Sequence, residues 1–136
     1  MVYVFDSSFV IALTIPDEVN PKIKKMYAGM ENEDEKHSPH LLWYEIANVF
    51  MNLIRRKRYA YEEFSHFFKM LKAFGLTTDF ETGIGYSEKL LHLCKDYNLS
   101  SYDAAYLELA ERKKAVLCTL DEDLRKAAKK HGVAVI

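Results

Sequence analysis

Two short apolar runs in this chain are each followed closely by an acidic residue and then by a helix-forming stretch. Val2–Phe5 precedes Asp6, and Ala115–Thr119 precedes Asp121. Buried strands that alternate with helices are typical of a parallel sheet covered by helices on its faces. Both acids are therefore predicted at the carboxyl ends of parallel strands, along the sheet edge where open α/β folds keep their ligand crevice.

The rest of the chain continues this alternation without a repeat or a linker, so we expect a single domain over residues 1–136. The stretch Glu31–Lys36 is interpreted as an exposed acidic loop. Further helices are predicted over Pro21 to about Met30, Leu41–Met51, Tyr61–Phe74, about Thr82–Tyr97 and Glu122–Lys130, and short strands at His37–Pro39, Leu76–Thr78 and Gly132–Ile136.

Two more acids occur in apolar helical segments. Glu45 lies within Leu41–Met51, which is apolar on most faces and offers this carboxylate no cation of its own. Asn48 is one turn later on the same face. Asp103 lies in the first turn of another apolar helix, after a serine positioned to cap it.

Each acid alone has an ordinary structural explanation. Asp6 and Asp121 suit helix N-caps, Asp103 suits a first-turn acid that complements the helix dipole, and Glu45 suits a buried, hydrogen-bonded carboxylate. One bound cation explains all four together, because clustered carboxylates repel each other and are costly to desolvate. An all-oxygen cluster favours Mg²⁺ or Mn²⁺, so the residues indicate a metal-dependent phosphodiester enzyme.

Composition excludes several other classes of protein. The five histidines show no ligand-type pairing, which disfavours a zinc hydrolase. Cys94 and Cys118 have no metal-type spacing and lie in apolar settings, which favours buried free thiols. No glycine-rich phosphate loop occurs. No apolar run approaches the roughly 20 residues of a membrane span, and the amino terminus lacks signal-peptide features, so we expect a cytoplasmic protein.

The order of these motifs resembles that of the PIN-domain nucleases, particularly the small VapC-type toxins of prokaryotic toxin-antitoxin pairs. The resemblance spans the whole chain and is carried by Asp6-Ser7-Ser8, Glu45-Ile46-Ala47-Asn48, Ser101-Tyr102-Asp103-Ala104-Ala105-Tyr106 and Thr119-Leu120-Asp121. It implies a three-layer α/β/α sandwich with a central, mainly parallel sheet. It also implies Mg²⁺- or Mn²⁺-dependent cleavage of RNA, a homodimer and, in the toxin branch, an antitoxin partner.

We therefore assign expected roles to the acids. Asp6 and Asp103 are the strongest candidates for direct ligands of one or two ions, and Glu45 for a ligand or a base that orients water. Asp121 would hold a second or weaker ion, with Asp123 in reserve. The groups expected to orient these carboxylates are Ser7, Asn48 and Thr119.

A net charge of −1 gives no overall attraction to nucleic acid, so RNA must meet local basic patches. Arg55, Arg56 and Arg58 follow the Glu45 helix and are the candidate phosphate contacts. Their structural alternative is that cations favour a helix carboxyl end. Lys126, Lys129 and Lys130 are interpreted as a solvated face.

The aromatic and methionine side chains of Pro21–Met30 and Tyr61–Phe74 exceed the needs of one small core, which favours a homodimer through these helices. The alternative to a nuclease is a non-catalytic RNA-binding or protein-scaffolding domain of the same fold. An intact set of four acids argues against it.

Overall fold

A computed structural model describes residues 1–18 and 20–136. This part of the chain forms a four-stranded sheet and seven α-helices. The strands are β1 (Val2–Phe5), β2 (Glu35–Pro39), β3 (Thr77–Asp79) and β4 (Val116–Cys118). The helices are α1 (Ser7–Thr14), α2 (Pro21–Ala28), α3 (Leu41–Arg55), α4 (Phe64–Ala73), α5 (Ile84–Tyr97), α6 (Ser101–Lys113) and α7 (Glu122–His131).

The sheet has the order β3-β2-β1-β4, and every pairing is parallel. Helices flank it, as expected for an α/β sandwich. Helix α6 packs across β1, β2 and β4, and α5 packs on α6, while α2, α3 and α4 gather around α1. Because all four strands run in one direction, their carboxyl ends share one edge of the sheet.

The central strand β1 is the most apolar strand, and it has neighbours on both sides. Val4 and Phe5 are fully buried, and Phe5 packs against Phe9 at the start of α1 with 4.7 Å between ring centroids. Buried strands of parallel sheets carry continuous apolar runs because helices cover both faces. The strand predicted for this apolar run is confirmed, and it pairs in parallel with β2 and β4.

Strand β2 differs from its prediction at its amino end. Glu35 and Lys36 lie within the strand and not in a loop, because they pair with Val2 and Tyr3 of β1. At the other end, Ser38 is fully buried and its hydroxyl donates to the Phe5 carbonyl at 2.6 Å. Cross-strand bonding has placed a polar segment inside the sheet.

The carboxyl-terminal tail forms less strand than predicted over Gly132–Ile136. Only Val135 makes a β-bridge, to Leu117, within the described part of the chain. The Ile136 amide still donates to the Leu117 carbonyl at 2.9 Å, so the tail lies beside β4 without forming a full strand.

The aromatic side chains on α2 and α4 mostly enter the core. Tyr27 packs between Phe5 and Phe74, and on α4 Phe67 packs near Phe50. Within Tyr61–Phe74, two large aromatic side chains remain substantially exposed, Tyr61 at 75% and Phe68 at 48%. On α2 and just after it, Met26, Tyr27 and Met30 are partly buried against the core, so the dimer interface expected through this helix stays a prediction. None of the described helices is both long and apolar enough to span a bilayer.

Candidate metal centre

The carboxyl ends of β1 and β4 bring Asp6 and Thr119 side by side. The Asp6 amide donates to the Cys118 carbonyl at 3.1 Å, which continues the parallel pairing just beyond β1. Only 4% of Asp6 is exposed. Its carboxylate accepts from the Phe9 amide at 2.9 Å, which caps α1, and from the Thr119 hydroxyl.

Ser8 and Thr119 tie the first and last acids of the site together. The Ser8 hydroxyl donates to Asp6 at 2.6 Å and accepts from the Leu120 amide at 2.9 Å. The Thr119 hydroxyl accepts from the Asp121 amide at 3.0 Å while it donates to Asp6. These two hydroxyls fix the Asp6 carboxylate and the chain that leads into Asp121.

Asp121 caps helix α7 in an exposed position. Its Oδ1 atom accepts from the Leu124 amide at 2.8 Å, which is the structural role that the sequence offered as an alternative. Each carboxylate oxygen has two lone pairs, so this cap leaves acceptor capacity for a cation.

Glu45 reaches the same edge from the second turn of α3. One face of α3 is buried through Leu42, Ile46 and Phe50, and Glu45 lies half-buried at the border of that face. Its carboxylate accepts from the Tyr106 hydroxyl at 2.5 Å and from the Ser7 hydroxyl at 3.4 Å. The strong bond to Tyr106 sets the orientation of Glu45.

Asp103 enters from the first turn of α6. Its amide donates to the Ser100 hydroxyl at 3.1 Å, which confirms the predicted serine cap. Asp103 and Tyr106 are three residues apart and therefore lie on one face of the helix. Apart from Ser100, whose hydroxyl lowers the pKa of Asp103 through a hydrogen bond, no donor in the described residues bonds to the Asp103 carboxylate. Its oxygens therefore keep acceptor capacity for another ligand.

The charges of these carboxylates raise one another's pKa. Burial raises the pKa of Asp6, and the charge of Asp121 adds to the effect. Burial is also the main cause that raises the pKa of Glu45, followed among the charges by Asp6 and Asp103. The pKa of Asp103 is raised by burial and then by the charges of Asp121, Asp6 and Asp123.

No basic side chain compensates this charge within residues 1–18 and 20–136. None of the four acids takes part in a salt bridge there. Clustered carboxylates without a partner cation are unfavourable, because each raises the cost of ionising the next. A bound divalent cation would remove that cost.

The donor set fits a hard cation, although the ligands are not drawn together. Among the described residues no three His, Cys, Asp or Glu side chains already form a metal-binding group. Mg²⁺ commonly keeps several waters and takes only one or two direct carboxylates, so a spread set of oxygen donors suits it. Asp6 and Asp103 could then be direct ligands, with Glu45 and Asp121 acting through water.

The other predicted site residues are placed less uniformly. Ser7 donates a hydrogen bond to Glu45, and Thr119 donates one to Asp6. Asn48, in contrast, is exposed and has no hydrogen bond to the four acids in the described structure. Asp123 is also exposed, and its charge still reaches Asp103.

Sequence reasoning missed Tyr106 and Ser8 as site residues. The signal for Tyr106 was its spacing from Asp103, one turn along the same helix face. The signal for Ser8 was the Asp-Ser-Ser turn, in which a hydroxyl two residues after an aspartate can bond back to it.

The basic residues after α3 lie away from the acids. Arg55 is ten residues beyond Glu45, about 15 Å along the helix axis. Arg55, Arg56 and Arg58 are exposed. Arg58 is engaged elsewhere, because its Nη2 atom is 2.7 Å from the Asp17 carboxylate and its Nη1 atom is 3.9 Å from Glu18.

Comparisons with known proteins agree with this geometry. A family model described as PIN domain matches residues 3–130. Ribonuclease VapC3 of Pyrobaculum aerophilum is 28% identical over 124 residues, which cover 91% of this chain and 92% of that protein.

Two solved structures show the same fold. The crystal structure of PAE2754 from Pyrobaculum aerophilum superposes with a TM-score of 0.73 at 23% identity, covering 99% of this chain and 89% of the other. A toxin-antitoxin complex from Klebsiella pneumoniae superposes with a TM-score of 0.61 at 16% identity, covering 89% and 88%.

Proposed function

Because the chain belongs to the PIN-domain family, we propose that it is a metal-dependent ribonuclease that hydrolyses RNA phosphodiester bonds, as the toxin of a toxin-antitoxin pair. The observation that carries this proposal is that Asp6, Glu45 and Asp103 approach one sheet edge without a partner cation in the described residues. They do not already form a metal-binding group, but the charge of Asp6 helps to raise the pKa of both Glu45 and Asp103. The similarity to a VapC ribonuclease supports RNA as the substrate.

The acids have different proposed roles in cation binding and in proton transfer. We assign direct cation binding to Asp6 and Asp103, a second or weaker ion to Asp121, and a reserve role to Asp123. When bound, Mg²⁺ or Mn²⁺ supplies positive charge that stabilises the negative charge developing on the phosphate. Hydroxyls from Ser8 and Thr119 keep the Asp6 oxygens aimed at the site.

Glu45 is suited to orient water and accept its proton. Its raised pKa brings it closer to neutral pH, where a general base works best. The Tyr106 hydroxyl holds one oxygen of Glu45 at 2.5 Å. The other oxygen receives only the longer 3.4 Å bond from Ser7, so it can turn to a water molecule.

For substrate binding, Arg55 and Arg56 remain our candidates for contacts to RNA phosphates. Both are exposed and form no salt bridge among the described residues. Arg58 is a weaker candidate, because it would first have to leave Asp17. Replacing Arg55 and Arg56 by Ala should weaken RNA binding and flatten its salt dependence without changing metal affinity.

We also propose a homodimer and an antitoxin partner. The Klebsiella structure is named as a toxin-antitoxin complex, which supports the second of these. The most exposed large apolar side chains of the described structure include Ile84 at 82% and Leu91 at 70%, both on α5. A second copy would bury more apolar area through α5 than through α2. Sedimentation over a dilution series tests the dimer, and Leu91→Arg should dissociate it.

One experiment separates the nuclease from the non-catalytic alternative. The purified chain is incubated with a mixed-sequence pool of single-stranded and hairpin RNAs in Mg²⁺, Mn²⁺ or chelator, while calorimetry measures Mn²⁺ binding. We expect cleavage with either ion and none with chelator. RNA binding without cleavage, by a protein that still binds Mn²⁺, would support the RNA-binding alternative and contradict the nuclease.

A further inference from the structure

A second basic surface lies beside the acids, on the side of α7. A groove of about 390 Å³ runs between the end of α5 and one face of α7. Lys95, Lys126 and Lys130 line it together with Asp96 and Asp123, so its lysines outnumber its acids by one. The α7 lysines are exposed, as the sequence interpretation of a solvated face expects, and the structure adds that two of them line this groove.

The groove adjoins the candidate metal centre through Asp123. This residue is among its lining residues and lies two residues after Asp121. Asp123, Lys126 and Lys130 are spaced by three and four residues, so they follow one face of α7 over about 10 Å. A strand that leaves the acids along this face would meet the two lysines one helical turn apart.

The lysines are not explained by local pairing. In the part of the chain that the structure describes, Lys95, Lys126 and Lys130 are exposed and form no salt bridge. Lys95 and Lys130 lie in the last turns of their helices, where cations complement the dipole. Lys126 lies before the last turn of α7, so the dipole does not account for it.

We propose that this groove binds the phosphates of single-stranded RNA on one side of the cleaved bond, through Lys95, Lys126 and Lys130. The inference rests on the proposed ribonuclease function and names the path of its substrate. The chemistry is that of ammonium groups that track a backbone, with a tyrosine and an asparagine at the groove wall. Arg55 and Arg56 would contact a different part of the RNA.

Fluorescence anisotropy with a labelled 12-nucleotide single-stranded RNA tests the groove. Binding is measured in chelator over a series of KCl concentrations, so that no cleavage occurs. The triple variant Lys95→Gln, Lys126→Gln and Lys130→Gln should lower the slope of log K against log salt by about 2, since each phosphate contact of a single strand contributes about 0.7. Its cleavage with Mn²⁺ should show a raised KM and an unchanged kcat.

The matched control changes three lysines outside the groove. Lys22, Lys24 and Lys25 are exposed on α2, so Lys22→Gln, Lys24→Gln and Lys25→Gln remove the same charge. We expect the control to keep the wild-type slope. If both triple variants lost the same amount of slope, the change would come from net charge and not from contacts in the groove. That result would overturn the proposal.

The other outcomes separate the groove from the nuclease. If the wild-type protein binds RNA through these lysines but cleaves none with Mn²⁺, the proposed nuclease function is contradicted and the groove proposal stands. Cleavage by a groove variant with wild-type KM and slope would overturn the groove and keep the function. Wild-type protein that binds no RNA would also overturn the proposal. Groove lysines that bind a poly-glutamate peptide and not RNA would overturn it as well, and would point to an acidic protein partner.

Discussion

The two ends of helix α6 hold acidic side chains in opposite electrostatic settings. At its amino end Asp103 joins a cluster with no cation in the described structure. Towards its carboxyl end Glu108, with only 3% of its side chain exposed, accepts from Arg112 at 2.8 Å. Arg112 also binds Asp79 at the end of β3 through two bonds of 3.0 and 2.7 Å.

The pKa directions follow this difference. Hydrogen bonds from Arg112 lower the pKa of Asp79, whereas burial and neighbouring carboxylates raise the pKa of Asp103. A fold that needs acids only for structure supplies their cation from its own chain. The comparison teaches that a missing cation, more than the number of acids, marks a site for a ligand.

The largest expected effect is loss of RNA cleavage on neutralising the uncompensated acids. Asp6→Asn and Asp103→Asn should each lower activity by at least about 100-fold, because each removes a proposed ligand charge while keeping the side-chain shape. In chelator the free energy of unfolding should stay the same or rise, since one repulsive charge is gone. Cleavage assays and urea denaturation measure both quantities.

Glu33 provides a control for these variants, because it is an exposed acid outside the site. Glu33→Gln should leave cleavage and stability unchanged. Full activity in folded Asp6→Asn and Asp103→Asn proteins would remove these residues from the proposed site.

The other end of α6 should respond in the opposite way. Arg112→Met should lower the free energy of unfolding by about 3 kcal/mol, because it leaves Glu108 and Asp79 without their cation. Lys113→Met, at the exposed neighbouring position, should cost less than about 0.5 kcal/mol. Equal denaturation curves for the two variants would show that Arg112 does not compensate these acids.

A smaller effect is expected from the hydroxyl that orients Glu45. Tyr106→Phe should lower kcat by about 10-fold, since Glu45 would lose its 2.5 Å partner. Tyr102→Phe changes an exposed residue of the same helix and should have no effect. Single-turnover cleavage would measure both, and an unchanged rate for Tyr106→Phe would mean that Ser7 alone suffices to orient Glu45.

The smallest expected effect is a difference in how folding stability depends on pH, between the acids of the candidate site and Asp79, which pairs with Arg112. Groups with raised pKa, such as Asp6 and Asp103, bind more protons in the folded state, so their contribution to metal-free stability falls as pH rises from about 4 through the raised values. Asp79 has a lowered pKa, so its contribution is present above about 4 and is lost as pH falls through that lowered value.

Urea denaturation in chelator between pH 3 and pH 8 would measure these slopes. The stability gain of Asp103→Asn over wild type should grow with pH, and the stability loss of Asp79→Asn should grow with pH as well. Saturating Mn²⁺ should remove the gain of Asp103→Asn, because the ion stabilises the wild-type folded state. A gain of Asp103→Asn that is independent of pH would contradict the raised pKa.

Much of the fold was predictable because hydropathy and helix caps are local signals. The buried run of β1, the serine before Asp103 and the helix after Asp121 were all visible in the sequence. Strand β2 was only partly predictable, since Glu35 and Lys36 are polar and become strand residues by pairing with Val2 and Tyr3 of β1. Its extent depended on a neighbour that is distant in sequence.

The sequence by itself determined which acids were candidates, because Asp6, Glu45, Asp103 and Asp121 occur in contexts where an isolated charge is unfavourable. Tertiary structure alone decided their partners. Tyr106 reaches Glu45 across 61 residues, and Thr119 reaches Asp6 across 113. Such contacts depend on how strands and helices pack, and packing is set by the whole core, so no local pattern reports it.

The same reason separates the two groups of basic residues. Arg58 is prominent in the sequence, but the fold pairs it with Asp17. Lys95 and Lys126 are unremarkable in the sequence, and the packing of α5 near α7 places them along one groove. The sequence shows which residues are charged, whereas folding decides which charged residues pair with each other.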